Sequence, residues 1–90
     1  MPQVQLLVSG GVQGVFYRMH CHKKATALKL TGFVRNLPDG RVEVYAEGGE
    51  EILQELIDWC HEGPPAAQVD NVEVLWADGE DRFQDFRIAG

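Results

Sequence analysis

Ninety residues with 44% hydrophobic and 24% charged side chains have the composition of an ordinary globular domain, which excludes a disordered, collagen-like or coiled-coil chain. No apolar run approaches the roughly 20 residues of a membrane-spanning helix, and no basic run ahead of an apolar block follows Met1-Pro2-Gln3 as a secretory signal requires. The net charge of −6 argues against nucleic acid, whose phosphates are bound by clustered Lys and Arg, so the expectation is one cytoplasmic domain over residues 1–90 with no membrane or nucleic-acid partner.

Val4, Leu6 and Val8 alternate with Gln5, Leu7 and Ser9, the pattern of a strand with one apolar face. Gly10-Gly11-Val12-Gln13-Gly14-Val15 breaks it; glycines at 10, 11 and 14 predict a loop rather than a continuing strand. From about Tyr17 to Lys29 the period changes, with Cys21, Ala25 and Leu28 on one helical face. Thr31 to Asn36 and Arg41 to Gly48 read as strands, and Leu37-Pro38-Asp39-Gly40 between them predicts a hairpin turn. In the second of these strands Val42, Val44 and Ala46 alternate with Glu43, Tyr45 and Glu47.

Gly49, Glu50 and Glu51 open a second helix with acids where the helix dipole favours them. Its apolar stripe is Ile52, Leu53, Leu56, Ile57 and Cys60, and Gly63-Pro64-Pro65 stops it. Val69 to Trp76 returns to strand alternation, Asp78 to Asp81 is an acidic turn, and Phe83, Phe86 and Ile88 suggest a short last strand pairing at an edge. The order strand, helix, strand, strand, helix, strand is the split βαβ pattern. It predicts an α/β (α+β) sandwich of ferredoxin-like type, an antiparallel sheet with both helices on one face. Cys21 and Cys60 form no CxxC pair; they are expected as reduced thiols, near one another if the two helices run antiparallel.

Several chemistries fail on spacing. No GxSxG surrounds Ser9, the only serine. His20 and His22 point about 200° apart on a helix and share no ion, and with Cys21, Cys60 and His61 they give no zinc-site spacing, so no metal is expected. No arginine stands six positions after either cysteine, as a cysteine phosphatase needs, and the glycine loop matches neither the Walker nor the GxGxxG pattern.

What remains is a glycine loop between a strand and a helix start, with Arg18 as its first basic residue. Such loops present backbone N–H groups to an anion at the positive end of the helix, and arginine adds a planar fork matching two phosphate oxygens. The charge distribution agrees. The first 42 residues hold six basic residues against Asp39 alone, the rest two against 13 acids. A glycine turn needed for packing, with Arg18 merely solvated, accounts for these residues equally well.

Ser9-Gly10-Gly11-Val12-Gln13-Gly14-Val15-Phe16-Tyr17-Arg18 resembles the first signature of the acylphosphatase family, a GxVQGVxFR-type loop. Gly32-Phe33-Val34-Arg35-Asn36-Leu37-Pro38-Asp39-Gly40-Arg41-Val42-Glu43-Val44 resembles the second, in which glycine and an aromatic residue precede an asparagine before the hairpin turn. The resemblance implies hydrolysis of the carboxyl–phosphate bond of acyl phosphates to a carboxylate and inorganic phosphate. Carried over, Arg18 binds the phosphoryl oxygens and Asn36 positions the attacking water. The loop amides of Gly11, Val12, Gln13, Gly14, Val15 and Phe16 complete the cradle, and no metal, cofactor or covalent intermediate is implied.

The expected partners are a small acyl phosphate and inorganic phosphate, the latter as product and inhibitor, and the chain is expected to act as a monomer. Gly11 stands where relatives often carry a larger or basic residue, and Tyr17 where phenylalanine is usual, so its hydroxyl needs a partner if buried. Small or apolar residues flank the cradle, which predicts weak discrimination among acyl groups. An RNA-recognition module shares the layout, but Gly32-Phe33-Val34 lacks the flanking aromatic residues of its binding strand.

Overall fold

The computed structural model describes residues 1–89; Gly90 lies outside the described residues. The chain runs β1 (Pro2–Gly11), α1 (Tyr17–Ala27), β2 (Thr31–Asn36), β3 (Val42–Glu47), α2 (Glu50–Glu62), β4 (Gln68–Asp78) and β5 (Phe86–Ala89). The strands form one sheet in the order β4-β1-β3-β2-β5. β1 is an inner strand, antiparallel to β3 with Leu6 opposite Val44 and to β4 with Leu6 opposite Val74. The expected edge position of the last strand holds. Its direction corrects the expected antiparallel sheet: β5 runs parallel to β2, with Val34 opposite Ile88, so the sheet is mixed.

Pleating explains the core. Val4, Leu6 and Val8 of β1 share a face with Val42, Val44 and Ala46 of β3 and Val34 of β2, and all are buried. Leu53, Leu56, Ile57 and Cys60 of α2 and Tyr17, Cys21 and Ala25 of α1 cover them. Ile52, expected in the α2 stripe, is 37% exposed, because it lies at the margin of the face that Leu53, Leu56 and Ile57 define. α1 ends where Lys29 turns left-handed (φ 59); the Leu30 amide reaches back to the Ala25 carbonyl and that of Lys29 to the Thr26 carbonyl, satisfying the last turn.

The helices meet end to start. The Tyr17 hydroxyl donates to the Cys60 carbonyl at 2.8 Å, which answers the need created by a tyrosine at a buried position, and its ring lies 5.3 Å from that of Trp59. Cys21 and Cys60 are hydrogen-bond neighbours and free thiols, both fully buried. The bond to Cys60, then burial, pushes the Cys21 thiol well above its ordinary value, which makes it a poor nucleophile.

The other face of the sheet is less open than its Glu43-Tyr45-Glu47 alternation suggests, since the chain from 79 to 85 folds across it. Both glutamates are buried, Glu47 to 2% exposure. Glu43 is matched by Arg35 and by Gln5 at 2.6 Å. Glu47 accepts the amides of Arg82 (2.9 Å) and Phe83 (3.1 Å) and the hydroxyls of Tyr45 and Thr31. Burial by itself would raise the Glu47 carboxyl, but these donors outweigh it and hold the group below its ordinary value. Phe83, expected in the last strand, instead packs its ring at a tilt against Phe33 and Tyr45 on this face.

Candidate active site

β1 outruns the sequence expectation. It continues through Gly10 and Gly11, paired with Val69 and Gln68 of β4 across an irregularity at Ser9/Gly10. Glycine is required at 10: φ is +125°, and a β-carbon there would sit 2.2 Å from the Gln68 carbonyl oxygen. Gly11 is therefore a strand residue. The Val12 amide is committed to the Gly10 carbonyl at 3.0 Å, and the Val12 side chain plugs into the core at 1% exposure. From that anchor the chain loops through Gly14 (φ 75) and Phe16 (φ 63) into α1.

The amides of Gln13, Gly14, Val15 and Phe16 meet no acceptor among the described residues, and the first helical amides have none within a helix. These amides belong to the segment that leads into the positive end of α1, whose first turn carries no acid. The Gln13 side chain acts elsewhere. Its Nε2 donates to the carbonyls of Leu37 (2.8 Å) and Arg41 (2.9 Å), the residues that close the β2–β3 turn through the Leu37 amide. The loop is thereby tied to the hairpin directly after Asn36.

Arg18 and Asn36 line one cavity of about 280 Å³ with Val12, Gly14, Phe16, Tyr17, Met19 and Ile88. Arg18 rises from the first turn of α1 and is half-buried. Asn36 ends β2 on the helix-facing side, opposite Val42. Its Oδ1 is buried and without a hydrogen-bond partner among the described residues, an arrangement that costs about 1–3 kcal/mol and calls for an explanation. Of the residues expected in the cradle, Arg18, Asn36, Val12, Gly14 and Phe16 line this cavity, while Gly11, Gln13 and Val15 border the loop outside it. Another cavity, about 350 Å³, lies across the sheet beside Phe33, Tyr45 and Arg82. It holds neither Arg18 nor Asn36.

Two residues expected in the cradle show features beyond their amides. Gln13 was read for its amide, although a long polar side chain between two glycine turns is itself a signal for a bridge. Phe16 was read as loop backbone, and no sequence signal shows its left-handed conformation.

A split βαβ sandwich whose first loop and helix start border a cavity lined by an arginine and an asparagine is a ferredoxin-like α+β domain. Its relatives make the class specific. The acylphosphatase family model matches residues 4–88. An acylphosphatase of Marinobacter nauticus is 56% identical over 82 residues, 91% of this chain and 89% of the relative. The crystal structure of acylphosphatase from Bacillus subtilis superposes with a TM-score of 0.96 at 36% identity over all of both chains. An acylphosphatase structure from Coxiella burnetii gives 0.90 at 45% identity over 97% of this chain and 90% of its own. The chain belongs to the acylphosphatase family.

Proposed function

We propose that the protein hydrolyses the carboxyl–phosphate bond of acyl phosphates, with Arg18 and the loop amides holding the phosphoryl group and Asn36 holding the attacking water. The observation that carries this reading is the partnerless Asn36 Oδ1 beside the cavity that Arg18 lines. An amide oxygen lacking a donor next to an anion site suits a water, whose proton it accepts.

Phosphoryl transfer asks mainly for alignment and charge stabilisation. The amides and the guanidinium supply the charge, and Gln13 keeps the loop and Asn36 in register. The carboxylate departs without a strong general acid. No Asp, Glu or His lines the cavity and asparagine is no base, so the water's proton passes to the substrate's own phosphate oxygen. The 90 residues act as one domain and as a monomer, in the cytoplasm, with inorganic phosphate as product and competitive inhibitor and no metal or cofactor required. Acetyl phosphate disappearance matched by phosphate release, undiminished by a chelator and inhibited by added phosphate, is the expected result. No turnover above the spontaneous rate by the folded protein overturns the reading.

A further inference from the structure

Phe16 holds an expensive conformation for no structural return. At the N-cap of α1 it stands at φ 63, ψ 23, a left-handed backbone that costs a non-glycine residue about 1–2 kcal/mol. Glycine or asparagine would take it more cheaply, as Gly14 does two residues earlier at φ 75. The Phe16 side chain is 69% exposed, so core packing does not offset the strain, and it makes no capping hydrogen bond. Phe16 lines the cavity of Arg18 and Asn36. So does Met19, 53% exposed and in the first turn of α1.

Two exposed apolar side chains offer nothing to a phosphoryl group. The rest of the substrate is its acyl group, and in-line displacement sends the departing carboxylate oxygen away from the attacking water, and so away from Asn36. We propose that Phe16 and Met19 form an acyl-group subsite that favours apolar, and above all flat aromatic, acyl chains, through ring stacking and the polarisable thioether. The subsite rests on the hydrolytic reading above.

The test is the ratio of kcat/KM for benzoyl phosphate to that for acetyl phosphate, measured on the parent, Phe16→Ala, Met19→Ala and Phe16→Tyr. Taking both substrates on one preparation cancels any loss of folded protein or damage to the cradle. The ratio falls about tenfold in Phe16→Ala, as expected for the loss of on the order of 50 Å² of apolar contact. It falls about threefold in Met19→Ala on the same reasoning and recovers in Phe16→Tyr, which keeps the ring. A parental ratio in Phe16→Ala overturns the subsite while hydrolysis stands. If that variant does not fold, a parental ratio in Met19→Ala overturns it equally. Hydrolysis of neither substrate by the parent overturns both readings.

Discussion

Replacing Asn36 by alanine separates a residue kept for chemistry from one kept for the fold. The buried Oδ1 has no partner, so its removal relieves about 1–3 kcal/mol of unmet hydrogen bonding. The same change deletes three heavy atoms from the partly buried wall of the cavity, with a packing loss of similar size at most. The net change in stability is therefore within about 1 kcal/mol, a Tm shift of no more than about 8 °C for a domain of this size. The rate behaves differently: losing one preorganised polar group lowers kcat about 10²- to 10³-fold, while phosphate affinity changes less than about threefold. Asn36→Asp keeps the shape but sets a negative charge beside the anion, so both affinity and rate fall. Acetyl phosphate turnover, calorimetric titration with phosphate and differential scanning calorimetry on the same samples check all three quantities. Near-parental kcat together with a Tm lowered by more than about 10 °C would refute the reasoning, because Asn36 would then serve only the end of its strand.

Arg18→Ala is expected to abolish turnover and weaken calorimetric phosphate binding, with Arg18→Lys restoring little because a point charge lacks the planar fork; parental phosphate affinity in Arg18→Ala would remove Arg18 from the cradle. Glu47→Gln destabilises by about 2 kcal/mol at neutral pH, since an amide cannot accept all the donors that surround the carboxylate. The folded-state value of Glu47 lies below its ordinary 4.5, so this stability is present above pH 4.5 and lost as pH falls through the depressed value; denaturant unfolding at pH 7 and near pH 3 should show the gap between parent and variant closing. Gly32→Ala destabilises by about 3 kcal/mol or more, because at φ +143 its β-carbon would lie 1.9 Å from the Tyr45 carbonyl oxygen; a Tm within a few degrees of the parent would contradict that packing.

What the sequence made legible follows the strength of local signals. Proline, aspartate and glycine at 38–40 announced the turn, and alternation in 42–47 and the stripe of α2 announced their elements. Arg18 and Asn36 were legible through the two signatures, and they do line one cavity. Long-range pairing was not legible. Nothing in Phe86–Ala89 states that it runs parallel to β2, and Gly10-Gly11 reads as loop until β4 supplies the partner strand. Glu47 looks like a solvent-facing residue because the segment whose amides it accepts comes some 35 residues later. Phe16 was legible as a motif position, whereas its backbone strain exists only in three dimensions.

The place of β1 between β4 and β3 sets when the site can come into being. Residues 2–11 emerge before both of their neighbours, at 42–47 and 68–78, with Pro2 finally opposite Asp78. At roughly 5–20 residues per second of chain growth, the apolar first strand waits about 3 to 13 seconds for its last partner. Gly10 takes its conformation against the backbone at Gln68 and Asp70, so the loop that leaves it cannot be aligned until β4 is in place. Catalytic competence is thus among the last properties a nascent chain acquires, although Arg18 and Asn36 both lie in its first half. Pairing across such separations is slow relative to helix formation, and regain of turnover after refolding reports completion of the whole sheet rather than of the segment that carries the chemistry.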